Sequence, residues 1–122
     1  MDLAPLFAVC AANPGVTAVL GSEPTRIYPF DQAPANVATP YATYQLITGI
    51  PENYLADRPD VDSVTLQVDV YAETGSSVRA AVVAMRDAIE TRARIARWGE
   101  EDRDPDTGLR HRSFDVDWIV RR

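Results

Sequence analysis

The sequence predicts an α+β domain in two layers: an antiparallel sheet of four or five strands, with one long helix and a short helical pair on one face. Two patterns carry this prediction. Apolar and polar residues alternate from Val61 to Tyr71, which is typical of a half-buried antiparallel strand. From Ser77 to about Ala93, apolar residues instead recur at steps of three and four, which is typical of an amphipathic helix.

The first twenty residues predict the short helical pair. Apolar residues within 3–12 fall at helical spacing, and Asn13 then provides an N-cap before Pro14 at the first helical position. Gly21 ends the second helix. Because Cys10 lies among apolar residues, we expect it to be buried rather than reactive.

The region before the long strand predicts a proline-rich connection and a second strand. Residues 22–40 contain four prolines and little periodicity, so we expect a loop with one short edge strand at Arg26–Tyr28. From Tyr41 the sequence pattern repeats every second residue, which predicts a strand. The stretch Gly49–Pro59 interrupts this pattern with glycine, prolines and acids and predicts a mobile loop.

The last third of the chain predicts a hairpin. One strand starts at Ile95–Trp98, and the run Asp104–Gly108 has the composition of a turn. The chain then returns as an alternating strand from Leu109 to Val120.

Length and composition limit the function classes. A chain of 122 residues forms one domain, residues 1–122. The net charge of -6 disfavours non-specific binding to nucleic acid or acidic membranes, since phosphate neutralisation needs clustered basic residues. All twelve basic residues are arginine, which excludes mechanisms built on a lysine.

No apolar run is long enough to span a bilayer, and the first residues lack signal-peptide features. We therefore expect assembly in a cytoplasm without a membrane partner.

Carboxylates are the candidate functional groups of the predicted sheet. Asp69, Asp115 and Asp117 are expected to project together from its outer face. Clustered carboxylates can act as an acid/base pair or hold Mg²⁺, but a flat strand face is no pocket and no nucleophile accompanies them. We therefore predict no catalytic residue, no metal site, no cofactor and no enzyme activity.

The acidic turn and the single histidine are weaker candidates. Asp102, Asp104 and Asp106 alternate as in a calcium loop, but Thr107 takes the sixth position, where such a loop needs glycine. We therefore expect a solvated turn. His111 is expected to be a surface histidine whose protonation its arginine neighbours disfavour.

Four segments of the chain occur in an order and spacing that point to a known family. They are Arg26–Pro29, Pro40–Gln45, Leu66–Ala72, and Asp104–Leu109 leading to Ser113–Trp118. Together they resemble the small tail-completion proteins of tailed bacteriophages, a group related to tail terminators. The resemblance covers almost the whole chain.

The resemblance implies structural work without catalytic residues. Such proteins form a ring, commonly a hexamer, that caps the head-proximal end of the tail tube of a phage or phage-like particle. The ring ends tube polymerisation and joins the tail to the head, and DNA later passes through its hole. The implied partners are further copies of the chain, the tail tube protein and the head–tail connector or stopper protein. The implied location is the virion, after assembly in the host cytoplasm.

A head-to-tail ring needs two different surface patches on each subunit. The Gly49–Pro59 loop and the Trp98–Gly108 hairpin are the predicted patches. The face carrying Asp69, Asp115 and Asp117 is the predicted lumen wall, where acids would repel DNA. The candidate interface residues are Glu52, Asn53, Tyr54, Trp98, Glu100, Glu101, Asp102 and Arg103.

Other functions stay open at this point. A head–tail joining or neck protein without a capping role fits the same sequence. An acidic module that binds a host protein fits the net charge, although the twelve arginines dilute its acidic surface. A Mg²⁺-dependent hydrolase using the three aspartates is the least favoured alternative.

Overall fold

A computed structural model describes residues 4–51 and 61–121, which form a five-stranded sheet and three helices. The strand order in the sheet is β1-β2-β3-β5-β4. The predicted α+β architecture is confirmed. In chain order the elements are α1 (Leu6–Ala11), α2 (Pro14–Leu20), β1 (Ile27–Pro29), β2 (Tyr41–Pro51), β3 (Val61–Ala72), α3 (Gly75–Ile89), β4 (Arg94–Arg103) and β5 (Arg110–Arg121).

The short strand β1 departs from the predicted antiparallel arrangement. It runs parallel to β2, with Ile27 beside Ala42 and Pro29 beside Tyr44. The other three strand pairs are antiparallel. A parallel neighbour requires the chain to return to the same end of the sheet, and the long connection over residues 30–40 makes that return.

Strands β3 and β5 form the centre of the sheet. They pair over their whole length, from Val61 opposite Arg121 to Ala72 opposite Arg110. The alternation predicted for both strands is confirmed, because one side of each is buried. The buried residues on this side are Val64, Leu66, Val68, Val70, Ala72, Phe114, Val116 and Trp118.

Helix α3 packs against this buried side. The Thr74 hydroxyl caps it by accepting a hydrogen bond from the backbone N–H of Ser77 at 3.1 Å. The helix ends at Ile89 rather than near Ala93, because the next residues turn into β4. The apolar residues that recur at steps of three and four in this helix are buried; they are Val78, Val82, Met85 and Ile89. No helix within residues 4–51 and 61–121 is long and apolar enough to cross a bilayer.

The short helices α1 and α2 pack against α3. The Asn13 side chain accepts hydrogen bonds from two backbone N–H groups of the first turn of α2, and Pro14 takes the first helical position, as predicted. Gly21, at a φ of 83°, ends the helix. Cys10 is buried as expected, and burial raises the pKa of its thiol to about 12, which disfavours the reactive thiolate.

The first residues of the loop predicted over Gly49–Pro59 belong to a strand instead. Strand β2 stays paired with β3 up to Pro51, opposite Asp62. A register shift at Ile47 breaks the period of two without breaking the ladder, which is why the sequence pattern ended the strand too early. The interface residues predicted in the rest of the loop, Glu52, Asn53 and Tyr54, lie outside the described residues.

The patch predicted over the Trp98–Gly108 hairpin is a strand as far as Arg103. Gly99 and Glu100 both lie opposite Ser113, which forms a β-bulge, and β4 then continues. Only glycine fits at position 99, because a Cβ there would lie 2.8 Å from the backbone carbonyl oxygen of Ser113. The remaining interface candidates therefore lie in an edge strand rather than a loop; they are Trp98, Glu100, Glu101, Asp102 and Arg103.

We expect Phe114→Ala to lower the free energy of unfolding by about 3–5 kcal/mol, because the fully buried ring would leave a cavity. Urea unfolding followed by circular dichroism measures the change. Val83→Ala, on the exposed side of α3, is the matched control and should shift stability by less than about 0.5 kcal/mol. Equal losses in both variants would contradict this placement of the core.

Candidate functional site

The sheet face that points away from α3 carries the candidate functional side chains and is termed the open face. Because side chains at every second strand position share a face, the strand register brings them into rows across β2, β3, β5 and β4. The polar and aromatic residues of this face include Tyr41, Thr43, Gln45, Thr65, Gln67, Asp69, Tyr71, Arg94, Arg97, Asp102, His111, Ser113, Asp115 and Asp117.

The three aspartates singled out in the sequence lie on the open face. Asp115 lies opposite Gln67, and Asp117 lies opposite Thr65. Asp69 lies further along β3 on the same side. The sheet therefore brings the three carboxylates to one face, and their position at a lumen stays a prediction.

Arginines from β4 neutralise two of these carboxylates. Arg97 Nε donates to Asp115 Oδ2 at 3.2 Å, and Arg94 Nη2 donates to Asp117 Oδ2 at 2.9 Å. The Thr65 hydroxyl donates to Asp117 Oδ1 at 2.8 Å, and with Arg94 it holds the pKa of Asp117 below its ordinary value. The sequence did not predict these pairs, because the predicted strand started only at Ile95 and the bulges in β4 change its register.

His111 connects Asp69 to the edge strand β4. Its Nε2 lies 2.7 Å from Asp69 Oδ1, and its Nδ1 lies 2.8 Å from Asp102 Oδ1. An ionised carboxylate only accepts hydrogen bonds, so a carboxylate at each ring nitrogen favours the protonated imidazole, in which both nitrogens donate. The hydrogen bond to Asp69 raises the pKa of His111 above its ordinary value of 6.5, with help from Asp102 and against the effect of burial.

The prediction of a surface histidine that resists protonation is therefore wrong. The side chain of His111 is only 16% exposed. Its sequence neighbours Arg110 and Arg112 point to the opposite face of the sheet, because side chains alternate along a strand. Two carboxylates from other strands thus outweigh burial and raise the pKa of its imidazole.

Two tyrosines extend the His111 row across the sheet. The ring of Tyr71 lies 4.9 Å from that of His111 and 5.0 Å from that of Tyr41, measured between centroids. Burial, and then the Asp69 carboxylate, raise the pKa of Tyr71 to about 12, so its phenol stays neutral. The row is therefore an aromatic surface on which the histidine and its carboxylates are the charged groups.

Two of the predicted interface residues in β4 hold that strand to the rest of the fold. The ring of Trp98 lies 5.6 Å from that of Phe114 and 5.0 Å from the Arg112 guanidinium carbon. Glu101 accepts a hydrogen bond from Arg79 of α3 at 2.9 Å. These side chains have structural partners already, and their role in an interface stays a prediction.

The acidic turn is shaped by its own side chains. Asp104 accepts hydrogen bonds from the Asp106 backbone N–H at 3.2 Å and from the Thr107 hydroxyl at 2.7 Å. Within residues 4–51 and 61–121, no three carboxylate, imidazole or thiol groups converge so that they could hold a metal ion. The arrangement is that of a hairpin turn.

We expect Asp102→Asn to lower the pKa of His111, because the imidazolium loses one of its two carboxylate partners. A titration of the imidazole followed by NMR measures this pKa. The pKa of His111 is higher in the folded state than in the unfolded state. The loss of folding stability in the variant should therefore be largest below pH 6.5, and it should shrink as the pH rises through the folded-state pKa.

Glu100→Gln is the matched control, since it removes a carboxylate from the same strand away from the imidazole. It should leave the titration of His111 unchanged. The same pKa in wild type and Asp102→Asn would contradict the geometry described for His111.

Comparisons with known proteins address the whole chain. The sequence model of the family described as "Tail completion protein gp17" matches residues 4–121. Among solved structures, a chain of "Virion of native gene transfer agent (GTA) particle" has a similar fold, with a TM-score of 0.63. The match covers 96% of this chain and 92% of that chain. The sequence identity is 15%, so the likeness shows the fold alone. No curated protein matches the sequence at a significant level. Because the family match spans nearly its full length, the chain belongs to the tail completion protein gp17 family.

Proposed function

We propose that this chain caps the head-proximal end of a phage tail tube as a ring of identical subunits, ends tube polymerisation and joins the tail to the head connector. The family match over residues 4–121 carries the proposal. A similar fold in the virion of a gene transfer agent supports it. The role is that of a non-enzymatic virion component, with the tail tube protein, the connector and further copies of the chain, commonly six, as partners.

The open face suits the wall of a hole through which DNA passes. Asp69, Asp115 and Asp117 are each hydrogen-bonded to a basic side chain of β5 or β4. DNA binds through cations that neutralise phosphates, and an arginine already compensated by a carboxylate contributes little to that binding. The proposed wall therefore works by charge balance, with the aspartates occupying the arginines that would otherwise hold DNA.

The edge of β4 is proposed as a contact with the tube or the connector. It carries both signs of charge and ends next to the acidic turn at Asp104–Gly108. The Gly49–Pro59 patch is the second proposed contact, on the grounds of its composition alone.

Electron microscopy of lysates from a parent phage that lacks this gene tests the proposal. We expect overlong tubes beside tailless heads, because nothing then ends tube growth, and the wild-type gene supplied in trans should restore normal particles. Tails of normal length unattached to heads would contradict capping and favour a joining protein. Normal infectious particles would overturn both roles and favour a module that binds a host protein.

The charge balance of the open face gives a separate prediction. Asp115→Asn combined with Asp117→Asn should make the protein bind DNA, because Arg97 and Arg94 lose their partners. Electrophoretic mobility shift at low and high salt measures the binding, which should weaken as salt rises.

A four-substitution variant that also carries Arg94→Gln and Arg97→Gln is the matched control and should lose the acquired binding. Absence of DNA binding in the double aspartate variant at low salt would contradict the proposed role of these carboxylates.

A further inference from the structure

One row of paired residues crosses the whole sheet and connects its two flanks. It runs from β1 to β4 through Pro29, Tyr44, Val68, Phe114 and Trp98. At this level β1 and β4 are the outermost strands of the described sheet. Their outward surfaces are therefore the parts of the sheet that a neighbouring subunit meets on either side.

The helical layer leaves β4 uncovered. Helix α3 packs over β3 and β5. Helix α2 lies towards β1, where the Arg26 backbone N–H donates to the Leu20 carbonyl oxygen at 2.9 Å. Strand β4 lies wholly within the described residues, and none of its ten residues is buried. The helix-facing side of β4 is therefore open to a further subunit.

Two exposed apolar side chains lie on this side of the sheet, between α3 and β4. Arg79 of α3 donates to Glu101 of β4 at 2.9 Å, which fixes the helix beside the strand. Val83 follows Arg79 by one helical turn, about 6 Å along α3. Trp98 precedes Glu101 by two paired positions, about 7 Å along β4. Because β4 runs back along α3, Val83 and Trp98 lie at one level; they are 44% and 42% exposed. These two residues and Arg112, whose guanidinium carbon lies 5.0 Å from the Trp98 ring, are termed the β4 flank.

The opposite flank of the sheet carries an exposed aromatic ring. The Gln32 backbone N–H donates to the Pro29 carbonyl oxygen at 3.0 Å and closes a turn directly after β1. Phe30 and Asp31 form the corner of this turn and are termed the β1 turn. Asp31 has a φ of 63°, in the left-handed region that aspartate adopts more readily than most residues. Phe30 is 65% exposed, so a large apolar side chain lies in solvent beside an acid.

The charges next to these two apolar surfaces are complementary. Within residues 4–51 and 61–121, neither Asp31 nor Arg112 forms an ion pair. Arg112 Nε donates to the Gly99 carbonyl oxygen at 3.2 Å, and Glu101 opposite Arg112 is already bound by Arg79. An aspartate that approaches the Trp98 ring therefore meets a cation without a carboxylate partner. Opposite charges beside matching apolar surfaces indicate that the two surfaces cover each other.

We propose that the β1 turn of one subunit packs on the β4 flank of the next, with Phe30 against Val83 and Trp98, and with Asp31 beside Arg112. This inference rests on the proposed ring and names its subunit contact. The partner is a second copy because each chain has both surfaces on opposite flanks, as a head-to-tail contact requires. Side chains of the outermost strands form the contact, so no strand of either subunit has to be displaced.

The shared row also favours a closed ring over a helical filament. A head-to-tail contact that shifts each subunit along the assembly axis does not close. Because both surfaces lie at one level of the sheet, successive subunits stand side by side without a shift along the strands. Each subunit then turns its open face to the same side, as a lumen wall requires. The acidic turn at Asp104–Gly108 lies beyond this level and stays available to the tube or the connector.

Two variants that each change one surface test the proposal. Phe30→Lys and Val83→Lys place a charge in the apolar contact, and both side chains are exposed in the monomer, so both variants should fold. Each variant should need at least about tenfold more protein than the wild type to assemble, alone or on added tail tubes, as is typical for a central interface residue. Where neither variant assembles alone, an equimolar mixture should give a dimer and nothing larger, because one intact β1 turn and one intact β4 flank remain.

Native mass spectrometry at matched concentrations measures these species, and circular dichroism checks that the variants are folded. Gln67→Lys is the matched control, because it adds the same charge on the central strand β3, away from both flanks. It should assemble like the wild type.

Cross-linking locates the contact without removing Phe30 or Trp98. A chain with both Gln32→Cys and Val83→Cys, treated with a short bismaleimide, should give a ladder of linked copies. Each single cysteine variant should stay unlinked, because a head-to-tail contact brings position 32 to position 83 and never like to like. The wild type should also stay unlinked, since Cys10 is buried.

Four outcomes would overturn the contact. Wild-type assembly in either lysine variant, or no cross-link in the double cysteine variant, would overturn it and leave the proposed ring standing. Cross-links in a single cysteine variant would show a two-fold contact instead of a head-to-tail one. Lysine variants that self-associate but no longer bind tubes would assign these surfaces to the tube protein. A wild-type chain that is monomeric both alone and on tubes would overturn the ring together with its contact.

Discussion

The register between β3 and β5 is the constraint on which the rest of the structure depends. It holds from Val61 opposite Arg121 to Ala72 opposite Arg110. Because side chains alternate, a slip of one residue would move Phe114 to the open face and Asp115 into the core. The buried layer under α3 and the charged network on the other side are therefore two consequences of one pairing.

Charge compensation across strands connects the edge of the sheet to its centre. Strand β4 has few buried side chains, and Arg94, Arg97 and Asp102 join it to acids and to the histidine of the neighbouring strands. Each exposed pair contributes little in water, about 0–1 kcal/mol, but together they align a bulged strand. The same charges and bulges discourage the pairing of that edge with a further strand.

The local patterns in the sequence predicted most of the fold. The alternation of β3 and β5, the buried stripe of α3 and the cap formed by Asn13 are confirmed, because each depends on residues close together in the chain. The resemblance to tail-completion proteins is confirmed by the family match. Strand ends were predicted less well, since the bulges at Ile47 and Gly99 change the period while the ladder continues.

The sequence by itself determined which elements form and that three aspartates share a face, since both follow from periodicity along single strands and helices. Only the tertiary structure decided that β1 is parallel, where the edges are unpaired and which partners the carboxylates have, because these depend on which strands are neighbours. His111 gives the physical reason. Its sequence neighbours point to the other side of the sheet, whereas Asp69 and Asp102, which raise its pKa, come from two other strands.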